Sequence, residues 1–547
     1  MGTSGYRVTR YRNMYFIKYN HIDSYPEDLG VEILDSMRHP NWFESTRQQL
    51  GKILDKSDGR SVEDGGYSLA KHPPQNDLFI EWIYEVDLDR NIFHINGIPF
   101  FSLDCIPDST AFLEYVTKNH YGHITCSPKC PPEQRYKRSA PPLVDDSDIA
   151  TYQSLVCTGT RMALSELLAI SDTLSPDEHI RVSLLETMIG QCMVREDVVS
   201  KIHNLDLIPS PCQLTNDIWC TASSMANFTF VPQIFDSEVT VSHPALNVEE
   251  KFAWVREDTV LYISTHLDDE RCLRDALSRL INAILEEKDS PGDYFGVAFS
   301  IFHCAIIKVV INEHTTTFSH TAALEFLPSW YADSPSTPGI TALARLGYRI
   351  DQKLFVRATE IFRRTGTGDN KGRTDVEKSL AQGAGDASPS SGCPMLPPEL
   401  WWEVALSLPL PDLLTFGLVS KSCRQVASMV LRYPHICGYR LVTVAKEKPE
   451  RMMHGYRFLR ASCFSAEQNG IPATLLVGMG SGRWAPGSIL GMHIPFGHAH
   501  NALFVRVSAE VEPQATAKER IQTSLGMRRK NENFDIPYDL FSRSCVV

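Results

Sequence analysis

His21 and Asp23 are the side chains in this sequence whose types and spacing best suit general acid-base chemistry. An imidazole titrates near neutral pH, and alternate residues of a strand point to the same side, which would bring the carboxylate beside the ring. A simpler interpretation is that Asp23 caps a helix that begins near Pro26. We therefore keep the two residues as weak catalytic candidates and predict no other catalytic residue.

Three other groups of residues resemble ligand sites, and each lacks a part that such a site needs. A His and Cys cluster lacks the two ligand pairs of a zinc finger, a glycine-rich run lacks the helix that would meet a phosphate, and a set of histidines lacks a nearby acidic ligand. We therefore predict no metal site and no cofactor. In that order, the groups are His120, His123, Cys126 and Cys130; Gly478, Gly480 and Gly482; and His493, His498 and His500.

The chain around His21 and Asp23 is predicted to form a compact α+β unit over residues 1–110. Polar and apolar residues alternate along residues 6–19, which predicts a β-hairpin with one covered face. Pro26, followed by two acidic residues, is typical of a helix start. Alternation returns along residues 79–95, where we expect two more strands.

Residues 111–364 are predicted to be mainly helical with some strands. A helix start signal at residues 175–178 precedes apolar residues that share one helical face. A second amphipathic helix is expected over residues 268–287. The apolar stretch at 297–311 is shorter than the roughly 20 residues needed to cross a bilayer. We interpret it as a buried strand or helix and expect no membrane partner.

The composition limits the classes of function. The 547 residues carry 53 Lys and Arg against 66 Asp and Glu, a net charge of −13, which argues against attraction of the whole chain to nucleic acid. Residues 395–547 hold 17 basic and 12 acidic residues, so they carry +5 and leave −18 on residues 1–394. Such asymmetry is typical of domains with separate partners. The 14 scattered Cys residues indicate a reducing compartment, and we expect the cytoplasm, the nucleus or both.

The clearest boundary lies at residues 365–394, where Gly, Ser, Asp and Lys dominate and large apolar residues nearly vanish. Such a segment cannot bury enough apolar surface to offset its ordering entropy, which predicts a flexible linker. Beyond it we expect a short helical motif over 395–440 and a mixed α/β region over 441–547. The whole chain is therefore predicted to be a multidomain α+β protein.

Residues 396–436 have the pattern of three short amphipathic helices. A Leu-Pro pair precedes the first helix, Pro411 and Asp412 open the second, and Lys421 and Arg424 lie outside on the third. The apolar content exceeds what so short a bundle can hide from water. Exposed apolar helix faces are typical of partner surfaces, so the segment predicts a protein partner.

The order and spacing of these residues resemble the F-box family. That family has a Leu-Pro-x-Glu-Leu start, an apolar position four residues later, an Asp-Leu-Leu second helix, and a Val-Ser-Lys or Val-Ser-Arg third helix. Cys423 departs from the pattern, because many members have Trp or another large residue there. The matching residues are Leu396, Pro397, Glu399, Leu400, Val404, Leu408, Asp412, Leu413, Leu414, Val419, Ser420 and Lys421.

The F-box resemblance implies a substrate receptor of a ubiquitin ligase. Such a chain binds a Skp-type adaptor, and through it a cullin, while the rest of the chain selects an unknown client and performs no catalysis. Two alternatives stay open: some F-box-like helices bind adaptors without joining a cullin, and residues 1–360 could be an enzyme with an F-box appended for its regulation. The residues expected at the adaptor are Leu396, Pro397, Leu400, Val404, Leu408, Leu413, Leu414 and Val419.

Residues 1–360 also resemble a family of uncharacterised fungal proteins. The similarity rests on residues 19–30, with Tyr-Asn-His-Ile-Asp-Ser-Tyr-Pro, and on residues 322–343, with Phe-Leu-Pro-Ser-Trp-Tyr. That family has no assigned activity, so the resemblance leaves the function of this part open.

Overall fold

The computed structural model describes most of the chain and shows a mixed α+β protein. The described residues contain 14 α-helices and 22 strands, so the predicted α+β class is confirmed. Within them, no helix is long and apolar enough to cross a bilayer. The described residues are 3–56, 66–74, 80–119, 124–155, 160–193, 196–235, 252–328, 335–349, 351, 353–366, 397–436, 438–445, 462–480, 490–496 and 499–509.

The N-terminal part forms a six-stranded sheet in the order β3-β2-β1-β4-β5-β6, in which β1 and β4 are parallel. The predicted hairpin is confirmed, and its two turn residues, Arg12 and Asn13, both have the positive φ that a tight hairpin turn requires. The predicted helix after Pro26 begins with a π-turn, Pro26–Gly30, and continues as α1. The strands are β1 (Ser4–Tyr11), β2 (Met14–Asn20), β3 (Ser68–Ala70), β4 (Ile80–Asp87), β5 (Ile92–Ile95) and β6 (Ile98–Ser102).

Three helices cover one face of this sheet, namely α1 (Val31–Met37), α2 (Trp42–Lys56) and α3 (Ser109–Tyr115). Large aromatic side chains, including Tyr84, Phe93, Phe101 and Phe112, form the apolar core between the helices and the sheet. Strand β4 alternates between this core and the opposite face, on which Glu85 and Asp87 lie. The alternation follows from the two-residue period of a strand.

The middle of the chain contains a second sheet in the order β11-β12-β13-β14-β15-β9, with β16 paired to β14. The apolar stretch at 297–311 forms most of the antiparallel pair β13 and β14. The strands of this part are β7 (Val116–Lys118), β8 (Ile124–Cys126), β9 (Thr160–Arg161), β10 (Ile234–Phe235), β11 (Phe252–Arg256), β12 (Thr259–Ile263), β13 (Gly292–Phe299), β14 (His303–Ile311), β15 (Thr316–His320) and β16 (Leu324–Glu325).

More residues of this middle part lie in helices than in strands. Both helices predicted there are present, and the first, α6, begins with a capping box in which Ser175 and Glu178 bond to each other's backbone N–H. Glu178 also forms a buried ion pair with Arg345, at 3.0 Å. The helices are α4 (Ala150–Ser154), α5 (Leu164–Leu168), α6 (Pro176–Cys192), α7 (Glu196–Leu205), α8 (Asn216–Asn227), α9 (Glu270–Glu287), α10 (Pro338–Tyr348) and α11 (Leu354–Gly366).

A third sheet, in the order β10-β17-β18-β19-β20-β22-β21, joins the C-terminal strands to β10 of the middle part. One continuous apolar core links this sheet, helices α6, α8 and α10, and one face of the second sheet, while α9 covers the other face of the second sheet. The strands are β17 (His435–Ile436), β18 (Tyr439–Val444), β19 (Ser462–Gln468), β20 (Ile471–Gly480), β21 (Leu490–Phe496) and β22 (Ala499–Ala509).

Three short helices precede the C-terminal strands of the third sheet: α12 (Pro398–Ser407), α13 (Leu410–Phe416) and α14 (Lys421–Val430). They occupy the segment where the sequence predicts three short helices. The predicted linker at residues 365–394 lies outside the described residues beyond Gly366.

Candidate partner-binding surface

Local sequence signals position helices α12, α13 and α14. Pro397 and Pro409 are the N-cap residues of α12 and α13, in extended backbone conformations that a proline favours. The hydroxyl of Ser420 caps α14 by accepting a hydrogen bond from the N–H of Cys423, at 3.1 Å. Each helix therefore starts where the sequence supplies a residue suited to a helix start.

The interior of the three helices is completed by α11. Leu413 and Leu414 are 1% and 5% exposed, and they belong to one apolar cluster with Phe355 and Ala358 of α11. Leu408 is half-buried against the same cluster. The structure thus places these three predicted adaptor residues on the inward side of the helices.

Five large hydrophobic side chains of α12, of α14 and of the turn between α13 and α14 are exposed. Leu400, Val404 and Val419 are 48%, 38% and 73% exposed, and Leu418 and Met429 are exposed as well. These five residues, which we name the apolar face, account for five of the twelve large hydrophobic side chains exposed among the described residues. Pro397 is also exposed, and Leu396 lies outside the described residues.

The helices are joined tightly to the preceding part of the chain. At Gly417 a Cβ atom would overlap the ring of Phe355, and the Arg424 guanidinium lies 5.8 Å from the centroid of that ring. Arg432 donates a hydrogen bond to the carbonyl of Tyr348, at 2.9 Å, and stacks over the Tyr348 ring. The three helices are therefore packed in a defined position relative to α10 and α11.

Strand β17, which follows the three helices, also connects this segment to the middle of the chain, because it pairs in parallel with β10. His435 of β17 is buried, and its Nδ1 lies 2.8 Å from the Tyr433 carbonyl, which it reaches as a donor. Burial, and secondarily the charge of Arg440, lowers the pKa of His435 to about 4. The imidazole is therefore neutral in the folded protein near pH 7.

The weak catalytic candidates lie on the surface of the N-terminal part. His21 and Asp23 are both exposed, and the Nδ1 atom of His21 lies 3.2 Å from the Tyr19 hydroxyl. Asp23 has a positive φ of 54° and does not cap the following helix, whose N-cap is Tyr25. Among the described residues, no hydrogen bond joins His21 to Asp23.

Parts of the three weaker ligand patterns lie outside the described residues, namely His120, His123, Gly482 and His498. Of the remainder, Cys126 and Cys130 interact with each other, and burial raises the pKa of Cys126 above its usual range. Gly478 and Gly480 belong to the end of strand β20. His493 and His500 lie on the paired strands β21 and β22.

One cluster of possible metal ligands is not predicted from the sequence. Oxygen atoms of Glu85 and Asp87 and a ring nitrogen of His94 lie within 4.8 Å of one another, and all three residues are buried. Glu85 and His94 are direct neighbours across β4 and β5. Burial raises the pKa of Glu85 to about 8 and lowers that of His94 to about 3. The sequence signal that could have indicated this cluster is a pair of acidic residues two positions apart in a largely apolar strand.

Comparison with known proteins supports one part of the chain. The family model of the F-box domain matches residues 394–435, so the predicted F-box motif is confirmed. No curated protein and no solved structure gives a significant match to the chain. The resemblance of residues 1–360 to uncharacterised fungal proteins therefore has no support from these comparisons.

We predict that Gly417→Ala weakens the attachment of the three helices to α11, because the new methyl group must displace the Phe355 ring. The free energy of unfolding should fall by about 1–3 kcal/mol, as for overpacked cores. Urea unfolding measures this change. Gly51→Ala in α2 is the matched control, since the nearest atoms there are 4.0 Å from the new Cβ. Equal stabilities of the two variants would contradict the packing described here.

We also predict that His435 makes the stability depend on pH. Its folded pKa of about 4 lies below the ordinary value near 6.5, so the unfolded chain binds more protons between these values. Stability should therefore be lost as the pH falls from about 6.5 to about 4, by up to about 1.4 kcal/mol per pH unit.

Denaturant unfolding of the wild-type chain and His435→Gln at several pH values tests this expectation. The difference between the two should shrink or reverse toward low pH, because only the wild type must protonate a buried ring. His39→Gln removes an exposed imidazole and is the control. Parallel curves for wild type and His435→Gln would be inconsistent with a buried neutral His435.

Proposed function

We propose that this chain is a substrate-receptor subunit of a Skp-cullin-RING ubiquitin ligase. The match of residues 394–435 to the F-box domain carries the proposal, because F-box domains generally bind a Skp-type adaptor. The adaptor in turn connects to a cullin, and the remainder of the receptor holds the client. The role proposed for this chain is binding and positioning, and it requires no catalysis by the chain itself.

The apolar face supports adaptor binding by the F-box helices. Five large hydrophobic side chains of this short segment are exposed, whereas many such side chains elsewhere in the described residues are buried in apolar cores. Removing apolar surface from water is favourable at about 25 cal/mol per Å², so a partner that covers this face gains affinity from it. We propose Leu400, Val404 and Val419 as the central adaptor contacts.

The inward residues have a different role in this proposal. Leu413 and Leu414 hold α13 against Phe355, so they maintain the shape of the apolar face from behind. A polar substitution of either would unfold the three helices and abolish adaptor binding indirectly. Variants of exposed residues therefore test the interface more directly than variants of these two.

The attachment of the F-box helices to α11 and β10 also suits a receptor. A ligase must hold its client at a defined place relative to the adaptor, and hinge-free packing provides that. Contacts of Gly417, Arg432 and β17 connect the helices to the middle of the chain without depending on the segment at residues 367–396. We propose that the three sheets form the platform on which the client is held.

We expect the full-length chain to form a complex with a Skp-type adaptor, and Leu400→Lys combined with Val419→Lys to weaken it at least tenfold, or about 1.4 kcal/mol. The two lysines would have to be desolvated in the interface, which opposes binding. Calorimetric titration with purified adaptor measures the affinity.

Gln48→Lys combined with Gln49→Lys is the matched control, because it adds the same charge at exposed positions of α2, outside the F-box helices. This control should bind as the wild type does. Both double variants should unfold at the wild-type temperature. Undiminished affinity of the Leu400 and Val419 variant would rule out the proposed interface, and no binding by the wild-type chain would rule out the receptor function.

A further inference from the structure

We propose that Glu85, Asp87 and His94 form a structural binding site for a divalent transition-metal cation, for which Zn²⁺ is the natural probe. The site lies on strands β4 and β5, away from the F-box helices, and is independent of the proposed ligase function.

The geometry of the three side chains carries the inference. Glu85 and Asp87 are two residues apart on β4 and so share one face of the sheet, and His94 lies opposite Glu85 on β5. Their ligand atoms are all within 4.8 Å of one another. Ligands of a tetrahedral zinc ion lie about 2.0–2.2 Å from the metal and therefore about 3.4 Å apart. Small side-chain rotations would bring the three onto one ion.

Burial distinguishes this cluster from the acidic groups that are common on protein surfaces. Glu85, Asp87 and His94 are 7%, 0% and 3% exposed. The Nδ1 atom of His94 is buried and has no hydrogen-bond partner. An unpaired buried polar atom is uncommon in folded proteins and requires an explanation, and coordination of a cation supplies one.

Two arginines, Arg10 and Arg90, act on the charges of this cluster. Arg10 pairs with Asp87, with Nη1 and Oδ2 3.1 Å apart, and thus offsets one of the two carboxylates. Burial raises the pKa of Glu85 most, the charge of Asp87 raises it further, and the positive charges of Arg10 and Arg90 oppose this rise. A divalent cation bound here would compensate the charge of the Glu85 carboxylate directly and so favour its charged form.

Neighbouring groups hold Asp87 in place. Its Oδ1 atom accepts hydrogen bonds from the backbone N–H groups of Asp89 and Arg90, at 3.0 and 2.9 Å. Such outer contacts orient a ligand carboxylate and are typical of metal sites. Arg10 also bonds to Asn13, at 3.1 Å, so its side chain keeps a partner if the metal takes over Asp87.

The ligand types indicate the class of metal. One imidazole with two carboxylates suits Zn²⁺, Mn²⁺ or Fe²⁺, whereas Ca²⁺ and Mg²⁺ prefer oxygen ligands alone. Because the three residues are buried, the ion would enter during folding and would link β4 to β5. Its expected effect is to stabilise the N-terminal sheet.

The test compares the full-length wild-type chain with Glu85→Gln and with Glu81→Gln. Glu81 is exposed on the same strand, so Glu81→Gln is the matched control. Each protein is produced in cells supplied with zinc and purified, and its zinc, manganese and iron are measured by mass spectrometry. The melting temperature is then measured before and after treatment with a chelator.

We expect the wild type and Glu81→Gln to hold one equivalent of metal more than Glu85→Gln, and to melt at a lower temperature once the metal is removed. Glu85→Gln should fold, since it keeps the shape of the side chain, and its melting temperature should not respond to the chelator. If Glu85→Gln does not fold, Asp87→Asn replaces it in the comparison. Equal metal contents in folded wild-type and variant chains would overturn the proposal.

Discussion

The packing of Phe355 against the three F-box helices is the contact on which the arrangement of this protein depends. Three helices of seven to ten residues are too small to enclose a core of their own. Their inward leucines therefore pack on α11, and Gly417 lets the ring approach their backbone. As a consequence, the F-box helices are fixed to α11. The five residues of the apolar face take no part in this packing and stay exposed.

A group of arginines extends this attachment to α10. The last carbonyls of that helix, which have no partner within it, accept hydrogen bonds from Arg256 and Arg432. Arg181 bonds in turn to the carbonyl of Arg432, and burial lowers the pKa of Arg181 to about 9. Cations at a helix C-terminus are favoured by the helix dipole. These arginines thus connect the middle helices to the segment between α14 and the third sheet.

Features set by neighbouring residues could be predicted from the sequence. Alternation predicted the first hairpin, Ser175 and Glu178 predicted the start of α6, and local spacing predicted the F-box helices. Features set by distant residues could not. The pairing of Glu85 with His94 depends on strand register, and an apolar stripe on a short helix does not tell which residues face a partner and which, such as Leu413, face α11.

Hydrogen-deuterium exchange of the full-length chain, with and without a Skp-type adaptor, tests the central claim most directly. If the apolar face binds the adaptor, amide exchange should slow in residues 397–430, and exchange in β4 and β5 should not change. Slower exchange confined to other parts of the chain, or no change anywhere with excess adaptor, would contradict the assignment of the F-box helices as the adaptor-binding surface.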